Sequence, residues 1–288
     1  MDTAVAPAAM LDTAGSGAAE AAARAGVDVV LLEEPWQFER GAALLASIWD
    51  AQRESDVVSK EVLRALAHSG NYVAGAFAGG RLVGLSAGFM GLGNGHPHLH
   101  SHISGVAADV RHRHIGFALK QHQRAWALRH GFDRVLWTFD PLVRRNAYFN
   151  LAKLGAAVTE FHPNFYGPMA DGIDAGDVSD RAVVEWVLTS PRAVAAAAGP
   201  KQRETDPVGA VILRDRGDGW PDEVEVEFDR AGPRLRAFAP PDIIEVRGRD
   251  AKVGLAWRRA LRATFGHAIE SGYTATNMTR TGWYELER

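Results

Sequence analysis

Hydrophobic positions along the chain follow two periods. "VDVVLL" is a short apolar run that predicts a first strand, and "FERGAALLASIWDAQ" and "SKEVLRALAHSG" carry the three-to-four spacing of helices. Ser59 is placed to cap the second of these, with Glu61 in its first turn. "NYVAGAFAGGRLVGLSAGFMG" reads as a hairpin turning at Gly79-Gly80, and "HLHSHISGVAA" alternates with period two as a long strand. From Ile115 to His130 the period becomes helical, with Ile115, Leu119, His122 and Trp126 on one stripe, Lys120 and Arg124 opposite, and Gly131 as the stop. "RVLWTFDP" is the next strand, "RRNAYFNLAKLG" the next helix, and "AAVTEFH" and "RAVVEWVL" two more strands.

This order of strand, two helices, hairpin, strand, helix, strand, helix and two strands predicts an α+β fold with a mixed central sheet flanked by helices. It occupies residues 27–190. Residues 1–26 read as a flexible Ala-rich tail with one short helix around "AAEAAARAG", and 191–207 as a linker or short exposed helix. Residues 208–288 read as a smaller α+β region. Its expected elements are strands at "VGAVIL" and "EVEVEF", a helix over about 251–271, and a terminal hairpin "YTATNMTRTGWYELE". Arg258 and Arg262 fall on that helix opposite Val253, Trp257, Leu261 and Thr264, a position that usually faces solvent.

Composition narrows the function classes. The 288 residues carry a formal net charge of -3, which argues against a nucleic-acid binder. Zero cysteines remove disulfides, thiolate metal sites and cysteine nucleophiles together. The N-terminus lacks the basic and apolar regions of a signal peptide, and no apolar run approaches a membrane span. A protein of the cytoplasm, off the membrane, is expected.

Two stretches carry candidate chemistry. In "HPHLHSHISGV" His96, His98, His100 and His102 stand at every second position, so His98, His100 and His102 would share one strand face. Such a row can ligate a metal, but no third ligand follows at a useful spacing, and no metal is expected. It can equally supply a proton acceptor, since an ordinary imidazole titrates near neutrality. In "ISGVAADVRHRHIGFALKQHQ" a strand ends near Val106-Ala107, a basic loop follows, and a helix starts near Ile115. Unpaired N–H groups and the helix dipole, joined by Arg111, Arg113 and His114, suit a phosphate or pyrophosphate, although a solvated basic loop capping a helix has the same look.

That second stretch resembles the GNAT acyltransferase superfamily, in which R/Q-x-x-G-x-G/A opens the helix that binds the pyrophosphate of acyl-CoA. Counted from Val106, Arg111 takes the first position, His114 stands where the first glycine would be, and Gly116 is the final glycine. Shifted by two, Arg113, Gly116 and Ala118 also fit the pattern. "LHSHISGV", "WTFDPL", "RRNAYFNLAKLGA", "FYGPM" and "SDR" follow in the order of an uncharacterised-type GNAT subfamily with an added C-terminal region.

The resemblance implies an N-acyltransferase using acetyl-CoA or another acyl-CoA as cosubstrate. The cofactor would lie where two parallel strands, "HLHSHISGV" and "RVLWTFDP", splay apart, held by Val106, Ala107, Arg111, His112, Arg113, His114, Ile115, Gly116, Phe117 and Ala118. Asn146 and Asn150, four apart on one helix face, would bond the pantetheine amides. His102, with His100 beside it, would take the proton of the attacking amine. Asp140 would orient a histidine or bind the amine, or else serve as the turn residue before Pro141. Many GNAT enzymes hold a tyrosine acid at the position of Leu151; Tyr166 and Tyr148 are the substitutes here. The implied partner is a small-molecule amine, with a second copy of the chain as an assembly partner. A non-catalytic CoA-binding module is the alternative.

Overall fold

The structure is a computed structural model, and it describes residues 7–51, 57–93, 95–167, 179–199, 208–228 and 230–288. Contacts divide the chain into two units, residues 1–137 with 187–189, and residues 138–186 with 190–288. The sequence-based segmentation at 26, 190 and 207 follows composition and stands as a separate proposal.

The first unit contains α1 (Ala8–Ala25), β1 (Asp28–Leu31), α2 (Pro35–Trp49), α3 (Lys60–His68), β2 (Tyr72–Ala78), β3 (Arg81–Gly93), β4 (His96–Val106), α4 (Ile115–Arg129) and the start of β5 (Arg134–Phe139). Its sheet order is β1-β2-β3-β4-β5. The first four strands are antiparallel neighbours, and β4 and β5 are parallel. One core, with Phe38, Leu45, Leu63 and Leu85, lies under α2 and α3. Another joins Ala21, Ala25, Val83, Ile115 and Leu119 between α1, the sheet and α4. The Ser59 hydroxyl caps α3 by accepting from the Val62 N–H, and Gly131 takes a left-handed φ of 79° just past α4.

The Ala-rich N-terminus differs from expectation. It forms an 18-residue helix rather than a frayed tail with one short helix. Ala14, Ala18, Ala21 and Ala25 recur at helical spacing and are buried, so alanine serves there as an interface residue as well as a good helix former.

The second unit contains α5 (Arg144–Ala147) with a wide π turn (Tyr148–Lys153), β6 (Ala157–His162), β7 (Arg181–Val187), α6 (Pro191–Ala197), β8 (Ala210–Asp215), β9 (Pro221–Glu223), β10 (Arg234–Phe238) and α7 (Ile243–Arg249). It continues with α8 (Ala251–Leu261), a second π turn (Arg262–Gly266), α9 (His267–Glu270), β11 (Thr274–Met278) and β12 (Trp283–Glu287). Its strands run β7-β6-β11-β12-β10-β8-β9. The expected strand "EVEVEF" is absent over Val224–Phe228; the ladder instead uses Arg234–Phe238, whose alternate positions Leu235 and Ala237 are buried.

Candidate functional site

The histidine strand is bent by one extra residue. Along β3 and β4, Ala87 faces Ile103 and Gly88 faces Ser101, so His102 has no partner of its own and forms a bulge. The bulge puts His100 and His102 together, their ring centroids 6.3 Å apart, with Phe89 stacked on His100 at 4.9 Å and tilted on His102 at 5.8 Å. Burial, then the neighbouring charges of His102, His98 and Lys120, lowers the His100 pKa to about 4. Burial also lowers that of His102. Both shifts favour the neutral ring, and a value of about 4 makes His100 a weak proton acceptor.

His98 keeps its face, two regular ladder positions before His100, but is packed away. It is buried, its Nδ1 receives the Gly93 N–H at 3.4 Å, and its Nε2 lies against the place a Cβ on Gly91 would take. The missing side chain at Gly91 is the space that ring fills. Among the described residues, no three His, Asp or Glu side chains gather as a metal-binding group.

The basic loop after β4 is made with two left-handed histidines, His112 at φ 77° and His114 at φ 61°. His114 caps α4 with its carbonyl, which accepts from the Phe117 and Ala118 N–H groups at 3.0 and 3.1 Å. The N–H groups of Ile115 and Gly116, in the first turn, have no intrahelical acceptor. Arg111, His112, Arg113 and His114 are exposed around them. Ala107, Ile115 and Ala118 are buried, with Val106 and Phe117 packed against that core, so these five anchor the loop from below. At Gly116 a Cβ would meet only Val106 Cγ2, at 3.9 Å. Packing therefore does not demand glycine there. His114 has the backbone of the glycine whose place it takes in the register counted from Val106.

The two parallel strands fork. β4 and β5 are bridged at Leu99↔Val135 and His100↔Leu136 and no further, so Ser101 and Trp137 are the first residues beyond the junction. Lys120 of α4 reaches both. Its Nζ donates to Ser101 Oγ at 2.9 Å and to Gln123 Oε1 at 3.0 Å, and stands 3.9 Å from the centroid of the Trp137 ring. Gln123 Nε2 donates onward to Ser86 Oγ at 3.4 Å, and Ser86 bonds Ser104 Oγ at 2.7 Å. Burial lowers the Lys120 pKa to about 7.

This corrects the sequence reading, which put Lys120 and Arg124 opposite the apolar stripe. Both are buried, and Arg124 donates to the Leu188 carbonyl. The helix lies between α1 and the sheet, so neither face is left to solvent.

The remaining candidates lie in the second unit. Asp140 is buried, accepting from Arg258 at 2.7 and 2.6 Å, from Arg247 at 3.2 Å and from the Leu142 N–H at 2.9 Å. It is thus a turn residue before Pro141 whose oxygens are engaged within the unit. Arg258 is 1 % exposed, and Arg262 holds the buried Asp180, so the expected solvent-facing arginines are clamps. Tyr166 is exposed, its hydroxyl 3.1 Å from Thr138 Oγ1 and its ring under Arg181. The Tyr148 hydroxyl accepts from Arg280 Nε at 3.1 Å.

Asn146 and Asn150 do not share a face: Asn146 is exposed and Asn150 buried. The π turn from Tyr148 has more residues per turn than an α-helix, which breaks the four-residue register. Leu151, at the tyrosine position, is buried.

Residues 32–155 match the model of the acetyltransferase (GNAT) family. Similar solved structures include aminoglycoside 6'-acetyltransferase type Ii, at 15% identity over 57% of this chain and 98% of that one, with a TM-score of 0.45. An acetyltransferase of the GNAT family from Streptococcus pneumoniae matches at 13% identity over 55% and 98%, TM-score 0.44. A GNAT family acetyltransferase from Elizabethkingia anophelis with acetyl-CoA bound matches at 13% over 57% and 99%, TM-score 0.42. No curated protein matches the sequence significantly. The matched residues, 32–155, include the strand, loop and helix of the candidate site, and over them the chain carries an acetyltransferase (GNAT) domain.

Proposed function

We propose that this protein is an acyl-CoA-dependent N-acyltransferase. It moves an acetyl group, or a related acyl group such as succinyl, to the primary amine of an amino acid or small metabolite in the cytoplasm. The observation that carries this reading is Gly116. A helix start with unpaired amides is ringed by exposed basic residues, and its glycine leaves open a space that the protein's own packing does not need.

In this reading the pyrophosphate of acyl-CoA sits at the first turn of α4, against Arg111, His112, Arg113 and His114. The pantetheine follows β4 from Val106 toward the fork, which places the thioester near the His102 bulge. The neutral rings of His102 and His100 take the proton of the attacking amine, directly or through water. Asp140 and Tyr166 lie in the second unit, with the partners already described, and this reading gives them no part at the fork.

Isothermal titration with acetyl-CoA, succinyl-CoA and free CoA tests the reading, on the wild type and on Gly116→Asp. Micromolar binding that the variant loses supports it. Well-folded wild type that binds no CoA species overturns it. Leu151 favours one second reading, a CoA-binding module without turnover. CoA binding with no thiol release on a broad amine panel is its mark.

A further inference from the structure

We propose that Lys120 is a catalytic residue of this site: its ammonium meets the thioester sulfur at the fork between β4 and β5 and protonates the departing CoA thiolate. The proposal rests on the acyl-CoA reading above and adds the acid that Leu151 cannot supply.

Three features of the geometry carry it. First, Lys120 stands at the junction itself. Ser101 and Trp137 are the first residue on each strand past the last bridged pair, and Nζ touches both. Second, the group is enclosed as an ammonium. Two of its N–H groups are taken by the Ser101 hydroxyl and the Gln123 carbonyl, the face of Trp137 lies 3.9 Å away, all are neutral, and among the described residues no carboxylate pairs with it. A buried cation without a counter-ion is costly, and a protein that needed only packing would place leucine or methionine there. Third, Lys120 is one helical turn after Gly116 and on the same face, so one acyl-CoA molecule lying along β4 can meet the phosphate cradle and the fork together.

The chemistry balances. The amine nitrogen forms a bond to the thioester carbonyl carbon. As the adduct collapses, the C–S bond breaks with its electron pair on sulfur. Lys120 passes one proton to the sulfur and is left a neutral amine. The substrate nitrogen sheds its proton to His102 or water, and solvent restores the ammonium. Burial makes the step accessible: a pKa brought down to about 7 makes the ammonium a far better acid than an exposed lysine. The titratable groups around it are His98, His100 and His102 on β4, and His122 and Arg124 on its own helix. His122 is turned to the Tyr72 hydroxyl, and Arg124 is bound to the Leu188 carbonyl. β5 and β3 present Trp137 and Ser86, which do not titrate near neutrality.

The test uses the ultraviolet absorbance of the CoA thiolate, read against pH with CoA bound to the full chain. It needs no acceptor. The amine and the thiol titrate as a pair: a thiolate in contact holds Lys120 protonated above its value of about 7, and the pair then forms thiolate at a midpoint about one pH unit or more below that of free CoA. Lys120→Met, close in volume, should bind CoA and return the midpoint to or above that of free CoA. Lys120→Arg should keep it low. Should Lys120→Met fail to fold, the wild type still decides. A bound-CoA midpoint equal to that of free CoA overturns the proposal and leaves the acyl-CoA reading intact, as does a low midpoint that Lys120→Met retains. Absence of CoA binding by folded wild type overturns both.

Discussion

Arg258 grips both carboxylate oxygens of Asp140, at 2.7 and 2.6 Å, with its guanidinium 1 % exposed. The pair joins the turn after β5 to α8 within the second unit, and Arg247 adds a third charged contact. Removing one partner leaves a buried, uncompensated charge. Arg258→Met should therefore cost about 3–5 kcal/mol in urea denaturation, whereas Asp140→Leu with Arg258→Met should cost much less. Burial alone would raise the Asp140 pKa; the hydrogen bond and charge of Arg258, with Arg247 and the Leu142 N–H, outweigh it and hold the carboxyl below its ordinary value. The sign follows. The contribution is complete above the unfolded carboxylate pKa of about 4 and is lost as pH falls through the lower folded value. A wild type and a double variant with parallel acid-unfolding curves would sink this account.

His114 occupies the left-handed region at φ 61°, which disfavours any side chain with a Cβ. His114→Gly should relieve that strain and raise stability by about 1 kcal/mol, read as a higher Tm. If the imidazole also contacts phosphate, the same variant should bind CoA more weakly although more stable. Weaker binding together with lower stability would refute the strain argument.

His100 and His122 are each held neutral, with pKa values lowered to about 4, first by burial. In the unfolded chain both take up a proton near pH 6.5. The folded state thus binds fewer protons between about 6.5 and 4, and stability falls with pH across that window, by about 1.4 kcal/mol per pH unit for each fully responding group. His122→Phe should flatten the slope of Tm against pH in that interval. An unchanged slope would show that His122 is protonated in the fold.

Much of the fold was legible because its strands and helices carry unmixed periods. β2, β3, β4, α4 and β5 lie where period-two and helical patterns place them, and Ser59 and Gly131 act as the cap and stop they resemble. The loop of the candidate site was legible as local structure, a basic run that meets a helix start. Lys120 was not legible, because a helical stripe has two readings when both faces are covered. The signal was the three-residue spacing of Lys120 and Gln123 on a face that α1 and the sheet enclose, and the Ala-rich sequence of α1 looks like a tail. The split of Asn146 from Asn150 was hidden for another reason: a π turn shifts every following residue, and no residue type announces it. Asp140 and Arg258 are 118 positions apart, so only the tertiary fold could show that the arginine was spent.

Gly155, which ends the helical segment after β5, is glycine for two separable reasons. Its φ is 71°, and a Cβ there would lie 2.6 Å from the Arg192 carbonyl oxygen and 3.0 Å from the Ala193 nitrogen, at the start of α6. Both contacts are backbone, so no side-chain rotation relieves them. Gly155→Ala should lose about 2–4 kcal/mol, combining left-handed strain with overpacking. Gly272, in the same unit, provides the control: its φ is 88° and nothing lies within 4 Å of its Cβ position. Gly272→Ala should lose only about 1–2 kcal/mol, the cost of strain alone. Denaturant midpoints of the two variants separate the contributions. Equal losses would mean that α6 yields to the new methyl group and that the approach of Arg192 to Gly155 is not what fixes this residue.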